Sequence, residues 1–320
     1  METFNSLMES LNGFVWGPPM MILLLWVGFF LTVGLRAISL TKVGYGFRQL
    51  FKKRTGQADE GDVSPFAALM TALSSTVGTG NIAGVAAAIA IGGPGAVFWM
   101  WMSALVGIST KFFTCSLGVM YRGKDSLGQL KGGPMYIIRE ALPRRYYPLA
   151  VLFAAAGLIG TLPMFQANQL TALIRGYVMP NAGATLPNIA IGCMLAAVVG
   201  SVIFGGVTRV AKVAVALLPT MILLYLGMTV YMIAINLDAV PSLLLSIVTE
   251  AFNPQALGGG LMGVMLIGVS RGVFSNEAGI GTGVMAHAAA STNEPIREGL
   301  VGMIGPVADT LIVCTCTAIV

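Results

Sequence analysis

The chain has 320 residues, 56% hydrophobic and only 10% charged, with a mean hydropathy of +0.83. Soluble domains carry about 25% charged residues, so a water-soluble enzyme, a nucleic-acid binder and a disordered protein are excluded, and the sequence reads as an all-α integral membrane protein. The net charge of +5 therefore matters through where the basic residues fall, not as a nucleic-acid signal. The first ten residues, METFNSLMES, put no basic stretch before an apolar run, which argues against a cleaved signal peptide. About 20 apolar residues cross the hydrocarbon layer, and residues 14–35, free of charge, make the first span. Residues 63–110 are also charge-free, twice too long for one crossing, and the GGPG turn at 92–95 divides them into spans two and three. Residues 146–174 supply span four, the later part of 176–208 span five and 213–237 span six; a broken segment over 258–283 is span seven, and 300–320 is span eight.

The basic residues alternate with these spans. Arg36, Lys42, Arg48, Lys52, Lys53 and Arg54 follow span one; Arg122, Lys124, Lys131, Arg139, Arg144 and Arg145 follow span three; Arg209 and Lys212 follow span five, and Arg297 follows span seven. Apart from Arg175 at a span edge, loops 92–95, 176–187 and 238–257 hold essentially none. That asymmetry predicts a multi-pass cell-membrane protein with the basic loops cytoplasmic and the N-terminus outside. Lys111, at the expected end of span three, reads as snorkelling to the interface, and the lone His287 as a loop or interface residue. Cys115, Cys193, Cys314 and Cys316 read as small apolar side chains without metal-binding spacing. KGGPMYI at 131–137 reads as a short amphipathic or gating element.

Two spans cannot be regular. LSSTVGTGNIAGVA (73–86) sets Ser74, Ser75, Thr76, Thr79 and Asn81 among three glycines. RGVFSNEAGIGTG (271–283) sets Ser275, Asn276, Glu277 and Thr282 among Gly279, Gly281 and Gly283. Close packing through small residues explains Gly84 and the alanines beside it, but not five polar side chains in eight positions. Irregular backbone at membrane depth is tolerated only against protein or a polar cavity. The second break lies five spans after the first and so runs the opposite way, the pattern of paired interruptions opening two inverted halves of a secondary transporter. Half-helix N-termini would meet an anion and unwound carbonyls a small cation such as Na+. The hydroxyls and amides suit a small zwitterion. In span four, Gln166 and Gln169 share a face that either points inward or bonds a neighbouring helix. Arg271 and Glu277, six apart, need the break or other partners to be satisfied, and Asp309 inside span eight either couples to transport or bonds a neighbouring helix.

GTGNIAGVA (78–86), GGPGAVFWMW (92–101), KGGPMYI (131–137), GVFSNEAGIGTG (272–283), AHAAA (286–290) and VADTLIVCTCTA (307–318), in this order, resemble the alanine/glycine:cation symporter family, the sodium:alanine symporters. The resemblance implies the leucine-transporter-type five-plus-five inverted-repeat bundle with one extra N-terminal helix. It divides the sequence into an extra helix and basic loop (1–62), a first five-helix repeat (63–237) and the start of a second repeat (238–320). It implies inward import of alanine or glycine coupled to Na+, with no cofactor. Carried over residue by residue, Thr79, Gly80 and Asn81 would take the substrate carboxylate. Gln166, Ser275, Asn276 and Gly279 would close around the amine and side chain. The carbonyls of Ser74 and Val77 would hold Na+, with Thr76 and Asn81 suiting a second cation position. Family members continue with three or more further helices, so the second repeat is expected to be incomplete and the sequence truncated at its C-terminal end. Other readings are a proton-coupled carrier relaying through Glu277 or Asp309, a channel, and a non-transporting fragment of a symporter.

Overall fold

The computed structural model describes residues 2–51, 61–126, 128–179, 185–253 and 260–320, almost all of them helical. Helices α1 (Glu2–Val15) and α2 (Pro18–Gly34) meet at Trp16–Gly17, where the prolines of the next turn have no amide to donate. Two short helices, α3 (Ile38–Thr41) and α4 (Val43–Leu50), occupy the first basic loop. Then α5 (Pro65–Thr76) starts at Ser64, whose hydroxyl accepts the Ala67 amide at 3.2 Å, with Pro65 in the first turn. After a break come α6 (Thr79–Gly92), the turn at Gly93, which has φ +75°, and the long α7 (Gly95–Met120). The second basic loop holds a small antiparallel pair, β1 (Gly123–Lys124) and β2 (Leu130–Lys131), and α8 (Pro134–Ala141).

Then follow α9 (Tyr147–Gly160), α10 (Met164–Val178), α11 (Thr185–Ile203), α12 (Gly206–Ile235) and α13 (Val240–Glu250). Next are α14 (Gly260–Asn276), the second break, and α15 (Thr282–Ala288). After these stand α16 (Pro295–Gly302), the single turn α17 (Ile304–Pro306), a π-helical stretch Val307–Cys314, and α18 (Thr315–Ile319).

Five helical segments among the described residues are long and apolar enough to cross a membrane: Asn5–Gly34, Gly95–Met120, Thr185–Ile203, Gly206–Ile235 and Pro295–Ile319. The pair α5–α6, bent by 43°, makes a sixth if counted as one crossing. The eight expected spans differ from this at two places. Span four is interrupted at Thr161–Pro163, where Pro163 cannot continue a helix, leaving α9 and α10 at 14 and 15 residues. Span seven is divided by its own break into α14 and α15. The expected loop 238–257 contains α13, which packs on α7 and whose following residue, Ala251, accepts the Trp99 indole N–H at 3.0 Å.

Helix α7 is the centre of the bundle and touches α2, α13, α14 and α16. It meets α14 most closely because α14 lacks side chains where they cross. A Cβ on Gly268 would lie 2.3 Å from the Ala96 carbonyl oxygen, and one on Gly272 would lie 2.0 Å from Ser103 Oγ. Gly84, where packing was expected to need a glycine, has nothing within 4 Å of an added Cβ. One apolar cluster joins Val85 and Ala88 of α6 to Val97 and Met100 of α7 and Val264 of α14. A second joins Leu69 and Leu73 of α5 to Leu218 of α12, Val301 of α16 and Ile304 of α17. By contrast α9, α10 and α11 leave most of their apolar side chains, Leu158 and Ile189 among them, exposed as helices facing lipid do.

Candidate functional site

Both interruptions form, and they face each other. In the first, Gly78 is extended (φ −175°), and one side group explains the break. The Gly78 N–H donates to Asn81 Oδ1 at 2.9 Å instead of to the Ser74 carbonyl four residues back. The Asn81 N–H in turn donates to Gly78 O at 3.1 Å, not to Val77 O. The carbonyls of Ser74 and Val77 thereby lose their helical donors. Groups of this kind at membrane depth need another partner. The hydroxyls of Ser74, Ser75 and Thr76 each donate to the carbonyl three residues earlier, at 2.8, 2.7 and 3.2 Å. They therefore satisfy α5 itself. Beyond Gly78, the N-terminus of α6 presents Thr79 and Gly80, both half-buried.

The second break runs from Glu277 to Gly281 and needs three left-handed residues: Glu277 (φ 51°), Gly279 (φ 96°) and Gly281 (φ 95°). Asn276 Oδ1 caps it by accepting the Ala278 N–H at 2.9 Å, and Glu277 accepts the Thr282 hydroxyl. Arg271 and Glu277 do not form an ion pair; the break turns Glu277 to Thr282.

A third element fastens the two. Asp309, buried in the π-helical stretch, accepts Asn81 Nδ2–H at 2.6 Å on Oδ1; on Oδ2 it accepts the Ser275 hydroxyl at 2.6 Å and the Thr310 hydroxyl at 2.9 Å. Asn81 Nδ2 also lies 3.0 Å from Ser275 Oγ, and the Cys314 thiol sits 3.2 Å from that oxygen. Residues five apart on an α-helix point about 140° away from each other. The π register, which closes each turn five residues on, instead stacks Asp309 and Cys314 over the same pair of partners. Asn81 and Ser275, 194 positions apart in sequence, are thus held together by a carboxylate from a third segment.

The sequence expectations divide accordingly. Thr79, Gly80, Asn81, Ser275, Asn276, Ser74, Thr76 and Val77 lie at or beside the two facing breaks; Gly279 lies in the second break but exposed, where a Cβ would meet Leu24 at 2.6 Å. Gln166 is not brought to them: it is exposed on α10, which packs chiefly on α11. Asn81 is committed at both ends of its amide, and Thr76 opens onto a small cavity shared with the ammonium of Lys111, an unfavourable place for a second cation. Lys111 does not snorkel. It is 5% exposed, because α7 continues nine residues beyond it to Met120 and Gly283 leaves room for its head, where a Cβ would lie 2.7 Å from Nζ. His287 is likewise buried, in α15, with Nδ1 2.7 Å from Glu298 Oε1. Sequence reasoning missed Thr310, Cys314 and Glu298; the signal for Cys314 and Thr310 was their place beside Asp309 in an apolar span.

The sodium:alanine symporter family matches residues 1–320. This protein belongs to that family. It is 40% identical to the sodium/alanine symporter AgcS of Methanococcus maripaludis over 320 residues, 99% of its own length and 70% of that protein. It is 43% identical to an uncharacterized transporter of Haemophilus influenzae, again over 99% of its own length and 70% of the other. It is 41% identical to a putative sodium/proton-dependent alanine carrier protein, YrbD, of Bacillus subtilis, over 97% of its own length and 62% of that one. The family is one of transporters, not enzymes; membership makes this a multi-pass membrane protein for amino-acid symport, with a cation as coupling ion and no cofactor.

Proposed function

We propose that the protein forms the substrate-holding part of a sodium-coupled symporter that carries a small neutral amino acid, alanine or glycine, inward by alternating access. The observation that carries this reading is the pair of facing breaks locked across Asn81, Ser275 and Asp309. A zwitterion and a cation together need dipoles of both signs, and the first break offers them on either side of Gly78. The N–H groups of Thr79 and Gly80, at the positive end of α6, suit the substrate carboxylate. The freed carbonyls of Ser74 and Val77, at the negative end of α5, suit one Na+. Ser275, in contact with Asn81, bounds the amine and side chain from the opposite break, while Gly279, exposed against Leu24, is left outside the site. The Phe274 ring stands 3.4 Å from where a Cβ on Gly80 would lie, so the second break packs close over the first turn of α6. In this reading the boundaries at residues 62 and 237 separate the extra helix from two inverted repeats, and the basic loops face the cytoplasm.

Uptake of labelled alanine and glycine into proteoliposomes, measured against Na+ concentration, tests the proposal. The Asn81→Ala change is expected to abolish Na+-dependent uptake, because the Gly78 N–H would then return to the Ser74 carbonyl. Uptake indifferent to Na+ in the parent protein would defeat the sodium reading.

A further inference from the structure

A concave site lies away from the two breaks, at the corner where α8 ends and α9 begins. Ile138, Arg139, Glu140, Leu142, Arg144 and Tyr147 border a cavity of about 530 Å³, within the size range of small-molecule sites. Helix α8 packs against α9, and the tight turn Arg144–Tyr146 joins them, so the walls belong to one folded corner. The transport reading leaves this corner without a role.

Its two arginines are in different states. Arg139 is held in place: its guanidinium lies 4.7 Å over the Tyr136 ring, and its Nε and Nη2 both reach a single oxygen, Oε1 of Glu140, at 2.9 and 2.8 Å. Arg144 is exposed and has no hydrogen-bond or ion-pair partner among the described residues. Glu140 is neutralised by its own pair, which leaves Arg144 as the charge that lacks a counterpart. Arg145, next in sequence, lies 4.9 Å over the Tyr146 ring and adds a further positive charge beside the cavity.

The cavity opens onto surface that faces lipid. Tyr147 starts α9 and is 51% exposed; Val151 and Leu158, on the same face of the helix, are exposed by 54% and 75%. From Tyr147 to Leu158 the helix rises about 16 Å, close to one leaflet's half of the ~30 Å hydrocarbon layer. Arginines, then tyrosines, then an apolar stripe one leaflet long follow the order of phosphate, interface and acyl chain in a phospholipid. A soluble anion gains nothing from the stripe, and an uncharged lipid gains nothing from the unpaired arginine.

We infer that this corner binds one anionic phospholipid, with its phosphate in the cavity against Arg144 and the outer edge of Arg139 and an acyl chain along Val151 and Leu158. Guanidinium groups meet phosphate oxygens through paired N–H donors, and basic pockets beside membrane helices take headgroups of this kind. The seated lipid touches α8 and α9 together. Those two helices also meet the second break: Pro134 of α8 and Phe153 of α9 stand 2.8 and 3.4 Å from where a Cβ on Gly281 would lie. Binding therefore steadies the seam behind that break, and it requires neither Na+ nor transport.

Native mass spectrometry of the full chain, released from micelles containing phosphatidylglycerol and phosphatidylcholine, counts the lipid that stays bound. The expected result is one phosphatidylglycerol retained in preference to phosphatidylcholine. Arg144→Gln should weaken that retention about fivefold, the effect of one basic residue near an anionic headgroup, and Arg139→Gln combined with it about twenty-five-fold in all. Arg144→Lys, which keeps the charge, should lose less. Arg209→Gln, which removes an exposed arginine of α12, controls for overall charge and should change nothing. Phosphatidylglycerol should also raise the melting temperature of the parent and not of Arg144→Gln. Equal retention of the two lipids, undiminished retention in Arg144→Gln, an equal loss in Arg209→Gln, or equal stabilisation by inorganic phosphate overturns the proposal. Should the double variant fail to fold, Arg144→Gln decides alone, because it breaks no hydrogen bond or ion pair among the described residues.

Discussion

Truncating Asp309 to alanine tests whether the two breaks depend on the carboxylate between them. Three donors converge on it: Asn81 Nδ2 and Ser275 Oγ at 2.6 Å and Thr310 Oγ1 at 2.9 Å. Each buried donor left without a partner costs about 1–3 kcal/mol, but the three losses do not add. The Ser275 hydroxyl keeps the Cys314 thiol at 3.2 Å and Asn81 keeps Ser275 at 3.0 Å, and removing a buried charge also recovers part of its desolvation cost. Removing one partner from such a network costs about 3–5 kcal/mol in total. At roughly 2 °C per kcal/mol, the low end for large domains, melting falls by about 6–10 °C. The assay uses the protein's own thiols: Cys115 and Cys314 are buried, so a thiol-reactive dye followed during heating reports opening of the core. Asp309→Asn, which keeps the volume and an acceptor oxygen, loses less. If Asp309→Ala melts within about 2 °C of the parent, the carboxylate does not fasten the breaks, and the geometry derived from it is wrong.

The crossing of α14 and α7 predicts graded effects at two of its glycines, with Gly84 of α6 as the comparison. Gly268→Ala drives a methyl into the Ala96 carbonyl, and Gly272→Ala drives one into the Ser103 hydroxyl, which can rotate away; the first should cost about 1–3 kcal/mol and the second less. Gly84→Ala meets nothing and should stabilise its helix by up to about 1 kcal/mol, so equal melting of all three variants would refute the packing account. Gly281→Ala puts a Cβ on a residue at φ 95° and 2.8 Å from the Pro134 ring, for a loss of about 1–3 kcal/mol by the same thermal assay. Glu277→Gln keeps an oxygen for the Thr282 hydroxyl, so Na+-dependent alanine uptake should persist within about twofold; loss of uptake in this variant would give the Glu277 charge a part in coupling.

The sites of the two breaks were legible because glycine and several polar groups inside an apolar run are each costly, and together they admit few bland explanations. The first two basic segments, 36–54 and 122–145, were legible for a related reason: they are long and compositionally distinct, whereas Arg209 and Lys212 fall inside α12 and Arg297 inside α16. What failed was the assumption that a charge marks the end of a span. Lys111 stopped the charge-free run at Thr110, yet α7 carries on to Met120 with the ammonium inside. The room for it comes from Gly283, 172 positions further on, and no local pattern reveals such a pairing. The His287–Glu298 contact hid similarly, because its members lie on separate helices joined by a turn. The π register hid for a different reason: its sequence, VADTLIVC, is equally compatible with an ordinary helix.

These hidden features belong to one arrangement. A break in an apolar helix exposes peptide groups of both signs, and a bundle can tolerate it only if something rigid holds the loose ends at fixed positions. Here a carboxylate grips the first turn of α6 and the last turn of α14 at the same time, so the two interruptions cannot move apart independently. That carboxylate is buried in the middle of the bundle within electrostatic reach of Lys111. The freed carbonyls of Ser74 and Val77 beside the same break are where the proposed coupling ion would bind. Because Asn81 holds both the Asp309 carboxylate and the Gly78 N–H that would otherwise cover the Ser74 carbonyl, a change at Asp309 should also weaken the Na+ binding proposed there.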